Sequence, residues 1–206
     1  SSILEWDLAN ANNMAESYPF TLGMNVIFDS YVPIYRCTIP WDMKLSLFDL
    51  LNMDGNGAYI TGTFDEDDEY KWVILGEGDV FSATDLTVAG YNTAVENIGG
   101  QCVFNRVNFQ YNQMDYWFER DWGGAILNTG MVTCINCTFK NNYAKNGGAI
   151  FNQGLLVLQD CIFSENEAYG EGNDVCVGDN GMVIVNGVSI TENGQNSAVY
   201  FAESMS

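Results

Sequence analysis

The sequence predicts an all-β protein: a parallel β-helix, or stacked β-arch solenoid, entered through an N-terminal β cap segment. Three observations carry that prediction. One thirteen-residue pattern occurs four times, opening on Gly, closing on Asn and holding four apolar slots between. The apolar slots alternate as in strands, with no helical period. The four opening glycines, Gly100, Gly130, Gly154 and Gly181, stand 24 to 30 residues apart, a spacing suited to one solenoid coil.

Each copy explains itself locally. The first runs Gly100-Cys102-Phe104-Val107-Phe109-Asn112 and the second Gly130-Val132-Cys134-Cys137-Phe139-Asn142. The third is Gly154-Leu156-Leu158-Cys161-Phe163-Asn166, and the fourth Gly181-Val183-Val185-Val188-Ile190-Asn193. Apolar residues two apart share one face of a strand, whereas the middle step of three would flip the second pair outward. A corner removes the conflict. The residues inside that step are Asn105-Arg106, Ile135-Asn136, Gln159-Asp160 and Asn186-Gly187. Asn, Asp and Gly at those places favour a bend. A copy is thus strand, corner, strand, with all four apolar side chains turned inward. Stacked at ~4.8 Å, the copies form columns. Phe109, Phe139, Phe163 and Ile190 make an apolar one. Asn112, Asn142, Asn166 and Asn193 make an amide one, bonded up and down the stack.

Residues 1–56 read as a cap or assembly segment, because all three prolines lie there and only two of the 21 glycines. An uncovered solenoid end exposes unpaired backbone and an apolar cross-section, so a cover is expected. Asp54-Gly55-Asn56-Gly57 reads as a turn at the boundary, and residues 57–206 as the solenoid. Its repeats fall at about 81–91, 100–112, 130–142, 154–166 and 181–193, the first with Phe81, Ala83, Leu86 and Val88 in the apolar slots. An insert from Gln113 to Trp122 carries Tyr116, Trp117, Phe118 and Trp122. Ala198 to Phe201 reads as a last strand.

Composition narrows the partners. Seven basic against 27 acidic residues leave a charge of −20, which argues against nucleic acid and anionic lipid. No apolar run approaches ~20 residues, so no membrane insertion is expected. Six cysteines in an acidic chain that opens Ser1-Ser2 suit an extracellular or cell-surface product after signal-peptide removal.

Chemistry is sparse. The lack of His removes His triads and His ligation. Cys134 and Cys137 have the spacing of a redox or zinc pair, but both occupy apolar slots and read as core. Cys161 stacks on Cys137 and Cys102 takes the slot of Val132, so a Cys137–Cys161 disulfide is open to the fold. Cys37 and Cys176 fall outside the pattern and are candidates for a bond to each other or to a neighbouring molecule. Asp65, Asp67, Asp68 and Glu69 are the calcium candidates, weighed against a solvated loop, which is favoured. Asp54 to Gly57 has only part of an EF-hand loop. No other cofactor is expected. Arg106, with Arg120 and Asp121, is the best catalytic set available. It defines no catalytic geometry, so no enzyme and no catalytic residue are expected.

The tracts Trp122-Gly123-Gly124-Ala125-Ile126-Leu127-Asn128 and Asn146-Gly147-Gly148-Ala149-Ile150-Phe151-Asn152, with Cys137-Thr138-Phe139 and Cys161-Ile162-Phe163, resemble a known repeat style. They are similar to the Gly-Gly-Ala-Ile and Phe-x-x-Asn repeats of polymorphic outer-membrane proteins and of adhesin-like surface proteins of methanogenic archaea. The resemblance spans about Gly99 to Asn193 and implies a parallel β-helix on a cell surface. Small size, acidity, cysteines and β content also resemble the sheath proteins of filamentous methanogens, which stack in an amyloid-like way.

These readings lead to a structural subunit of an extracellular envelope or sheath. It would self-assemble edge to edge as a homopolymer, with coils continuing from one molecule to the next. The alternatives are a surface adhesin or carbohydrate-binding module that uses the insert aromatics on glycans, and a β-helix polysaccharide lyase or hydrolase.

Overall fold

The computed structural model describes residues 23–27, 50–62, 71–112, 122–191 and 199–202. Every strand pairing among them is parallel, and they hold no helix. Strand β1 (Gly23–Ile27) lies beside β2 (Leu50–Thr61), which leads to β3 (Val73–Leu75). The next coil holds β4 (Val80–Ala89) and β5 (Val95–Asn97), and the one after it β6 (Gln101–Gln110) and β7 (Ile126–Asn128). Then come β8 (Met131–Ile135), β9 (Thr138–Lys140), β10 (Tyr143–Ala144) and β11 (Ile150–Asn152). They are followed by β12 (Leu155–Gln159), β13 (Ile162–Ser164), β14 (Glu167–Ala168) and β15 (Val175–Val177). The last described coil holds β16 (Met182–Asn186), β17 (Ser189–Thr191) and β18 (Val199–Phe201).

The long strands stack in the order β1-β2-β4-β6-β8-β12-β16, and the short ones form a second sheet, β18-β15-β11-β7-β5-β3. The chain is a parallel β-solenoid of about five turns, as the repeat predicts. Residue by residue, the register keeps the copies aligned. Cys102 faces Val132, Phe104 faces Cys134, and Phe109 faces Phe139. Phe163 pairs with Phe139 on one side and with Ile190 on the other. The rings stack accordingly, Phe109 on Phe139 at 5.1 Å and Phe139 on Phe163 at 4.7 Å, within 10° of parallel. Parallel pairing imposes this geometry: equal side chains one strand apart meet face to face. Above this stack the rings turn edge-on, Phe104 against Phe109 and Phe81 against Phe104, with Trp72 edge-on to Phe81.

The corners follow from the three-residue step. Arg106, Asn136, Asp160 and Gly187, the second residue of each step, all adopt left-handed φ of 51° to 63°, and Asp85 joins them in the coil above at 53°. This conformation lets the chain bend without losing register: Thr84 pairs with Asn105 and Leu86 with Val107, on either side of the bend. The Asp54-Gly55-Asn56-Gly57 tract is the equivalent corner inside β2. There the Asn56 N–H donates to Asp54 Oδ1 at 3.0 Å and the register shifts between Asp54 and Ala58. The division expected at residue 56 therefore falls within a strand that pairs with β4 on both sides of the bend. Most of residues 1–56, including Cys37 and all three prolines, lie outside the described residues.

Two columns of buried asparagine tie the coils together. Asn112 Nδ2 donates to Val88 O and to Asn142 Oδ1, both at 3.1 Å, and Asn142 Nδ2 donates to Phe109 O and Asn166 Oδ1. Asn142 Oδ1 and Asn166 Oδ1 also accept the backbone N–H of the Asn in the preceding coil. One side chain thus joins three successive coils. Asn166 Nδ2 donates to Phe139 O at 3.0 Å and to Asp174 Oδ1 at 2.8 Å, while Asn193 lies outside the described residues. The second column, Asn97-Asn128-Asn152, runs along the short sheet, each Nδ2 donating to the next Oδ1 at 2.8–2.9 Å.

Candidate functional site at the open end of the solenoid

The apolar inside of each coil is covered by the next. Along the inward column of the long sheet, Phe104, Cys134 and Leu158 are at most 1% exposed, but Val185, in register with Leu158, is 52% exposed. In the short sheet, Phe201 pairs with buried Val177 and is 65% exposed. Among the described residues, β16 and β18 are each paired on one side, and the inner column stands open there with a strand edge beside it. An edge with free backbone groups next to apolar side chains is a template for a further strand. The repeat pattern identifies Val183 and Val185 as inward residues; it carries no signal that they lack a cover.

A shallow cleft of about 330 Å³ lies on the corner, lined by Gly57, Asp85, Leu86, Thr87, Arg106, Asn108 and Asn136. Arg106 Nε donates to Asp85 Oδ1 at 2.5 Å and Nη2 to Oδ2 at 3.2 Å. This bidentate bond holds the Asp85 carboxyl below its ordinary range, against a smaller effect of burial, and holds the Arg106 guanidinium charged. Arg106 is thus committed to a structural partner. Arg120 and Asp121, named with it as a catalytic set, lie outside the described residues, as do the calcium candidates Asp65, Asp67, Asp68 and Glu69. Among the described residues no three His, Cys, Asp or Glu side chains are arranged to hold a metal ion.

Among the described residues the cysteines are free thiols: Cys102, Cys134, Cys137, Cys161 and Cys176 are all buried and unbonded. The Cys137–Cys161 bond left open by the stacking is not formed. Instead Cys137 Sγ donates to Phe104 O at 3.4 Å and Cys161 Sγ to Cys134 O at 3.3 Å, which gives each polar group a partner inside the stack. Hydrogen bonding with Cys134 and then burial push the Cys137 thiol well above its usual range, and burial does the same for Cys102 and Cys134. Cys161 rises through its bond with Cys137 and through burial. Burial, with the Glu171 charge nearby, pushes Cys176 up to about 11. Cys176 is wholly buried in the short sheet, and Cys37, named with it as a candidate for a bond to each other or to a neighbouring molecule, lies outside the described residues.

Among the described residues two aromatic pairs lie outside the main core. Trp122 stacks on Phe151 at 5.0 Å and its backbone bridges to Asn146, so this ring packs on its own solenoid. Tyr143 stacks on Tyr169 at 5.8 Å, with Tyr169 half exposed. The sequence does not mark that second pair, because the two tyrosines lie outside the apolar slots. Tyr116, Trp117 and Phe118 lie outside the described residues. Among the described residues no helix is long and apolar enough to cross a membrane.

The sequence profile of the Chlamydia polymorphic membrane protein repeat matches residues 136–153, part of one coil, from the corner Asn136 past the column residue Asn152. No curated protein matches the chain, and no solved structure does. The matched stretch holds β9, β10 and β11, whose neighbours β13, β14 and β15 repeat it in register.

Proposed function

We propose that this is a surface or outer-membrane β-solenoid protein and, within that class, a structural subunit that assembles through its coil ends. The polymorphic membrane protein repeat and the parallel solenoid support the surface assignment. The observation that carries assembly is the uncovered inner column at β16, where Val185 stands half exposed in a slot that is closed in the coils before it. A further parallel strand on that edge would satisfy its backbone groups and bury Val183, Val185 and Phe201 together. The natural occupant is the coil of another copy.

Sedimentation and negative-stain microscopy across a concentration series test this. End-to-end particles are expected to lengthen with concentration, and Val185→Asp should shorten them by burying a charge at the junction. A chain that stays monomeric at high concentration, or filaments indifferent to Val185→Asp, would refute it. The half-exposed Tyr143–Tyr169 stack favours a second reading, a glycan-binding surface protein, since flat aromatic faces stack on sugar rings. A glycan array with Tyr169→Ala as control decides between them.

A further inference from the structure

The outward face of the long sheet, on the Gly side of the corner, is free of charge. Its side chains come from alternate positions of five adjacent strands: Val80, Ser82 and Thr84 of β4; Gln101, Val103 and Asn105 of β6; Met131, Thr133 and Ile135 of β8; Leu155, Val157 and Gln159 of β12; Met182, Ile184 and Asn186 of β16. None is Asp, Glu, Lys or Arg, although the chain carries 27 acidic residues and a charge of −20. The first carboxylate along these rows is Asp54, on β2. On this face Val103 of β6 and Met131 of β8 are 41% and 39% exposed, Leu155 and Val157 of β12 are half-buried, and Met182 and Ile184 on the outer strand β16 are 61% and 52% exposed.

The geometry points to this face as a lateral docking surface for a second copy of the chain, packed sheet on sheet. The charge distribution selects that occupant. Two molecules at −20 repel each other, so contact is favoured where neither presents carboxylates. An uncharged face meets that condition against itself, and a two-fold axis makes it self-complementary. Flat rows of Val, Met, Leu and Ile on one copy would interdigitate with the same rows of the other at ~10 Å sheet spacing.

Size sets the strength. Five strands at ~4.8 Å and five residues at ~3.3 Å give a footprint of roughly 400 Å² per copy. The resulting ~800 Å² in total falls short of the ~1,200 Å² that stable complexes bury. The contact is therefore weak between two isolated copies and strong only when many are in line, since each copy in a stack adds a further footprint. Face and coil end are separate surfaces. The lateral contact needs no end-to-end stacking.

Sedimentation velocity at rising concentration, in dilute buffer and in about 0.5 M NaCl, tests the proposal, because salt screens the repulsion and leaves the apolar contact. The Val185→Asp chain is used, so that end stacking is removed. It is expected to form dimers at high concentration, and more of them in salt. Adding Met131→Lys and Val157→Lys, both outward and away from the core, should weaken dimerisation at least tenfold with melting unchanged. Ile162→Lys, outward but beyond the corner, should not. A Val103→Cys chain should cross-link to dimer with a short bis-maleimide. Dimers that survive the paired lysines, or a Val185→Asp chain that remains monomeric in salt at the highest concentration, would overturn the lateral contact. Neither result bears on end stacking, which the wild-type filaments report.

Discussion

Asn142 shows how much a single side chain can do when its neighbours are copies of itself. Its carboxamide oxygen accepts two donors from Asn112, and its nitrogen donates to Phe109 O and Asn166 Oδ1, all out of contact with water. Asn142→Leu removes the bonds without restoring hydration to the partners left behind. Each orphaned buried group costs about 1–3 kcal/mol, so a loss of about 3 kcal/mol or more is expected from urea unfolding. The thiols give a second test. Cys102, Cys134 and Cys137 have folded pKa values raised by burial and hydrogen bonding, so on heating to the unfolded state at alkaline pH the chain releases protons. Their contribution is complete below the unfolded thiol value of about 8.5, and stability falls as pH rises above it, by up to ~1.4 kcal/mol per pH unit per thiol. Melting under reductant between pH 7 and pH 11 should show this decline. A chain with Cys102→Ala and Cys134→Ala should show a shallower one, and equal slopes would remove the account. The amide column Asn112-Asn142-Asn166 can be read from the repeat, since each Asn closes a copy. Asn97-Asn128-Asn152 could not be read as a column, because Asn97 closes a stretch with no Gly-Gly before it. Asp174 as an acceptor for Asn166 depends on a fold-back within one coil that no spacing rule encodes.

At the scale of the element, the long strands were legible and the short ones were not. In β8, β12 and β16 apolar residues stand on both faces, so the Gly-to-Asn template they share with β6 is what fixes which face is inside. β5, β7, β11 and β15 are three residues each, too short for a period. The tracts of β7 and β11 were recognised only by resemblance, through the Gly-Gly-Ala-Ile run, and those of β5 and β15, which lack it, were not recognised. Those glycines have a packing reason. A Cβ on Gly124 would sit 2.7 Å from Tyr143 O and 2.8 Å from Tyr143 N, in the backbone of the next coil. Backbone cannot swing aside as a side chain can, so Gly124→Ala should force coils apart and cost about 2–3 kcal/mol. Thermal melts of Gly124→Ala beside Gly76→Ala measure this, because a Cβ at Gly76 meets only Asp79 Oδ2, at 3.6 Å. Equal melting temperatures would mean the coil spacing is looser than the register implies. The corners were legible for a different reason: a three-residue step is incompatible with a straight strand.

Over the whole molecule, coils that contact only their neighbours should not be equally stable. The coil of β8 to β11 is paired on both sides, whereas β16 and β18 are paired on one and expose Val185 and Phe201. Amide hydrogen exchange should therefore be fastest in β16 and β18 and slowest in β8 and β12, as fraying from an end requires. Uniform protection along the stack would mean that the last coil is covered in solution. The solenoid itself was written in the sequence, because repetition at 24 to 30 residues leaves few other folds available. Where the stack stops being covered was not, since a terminal copy has the same pattern as an internal one.

The spacing between copies has a use beyond architecture. The chain between Asn112 and Trp122 is longer than its counterpart in the next coil, yet β7 still pairs in register with β5 on one side and β11 on the other. Extra length at that point is absorbed without disturbing either neighbour. A foreign peptide grafted there would be carried on a rigid frame at a fixed height along the axis, and several grafts at equivalent points would be presented at regular intervals.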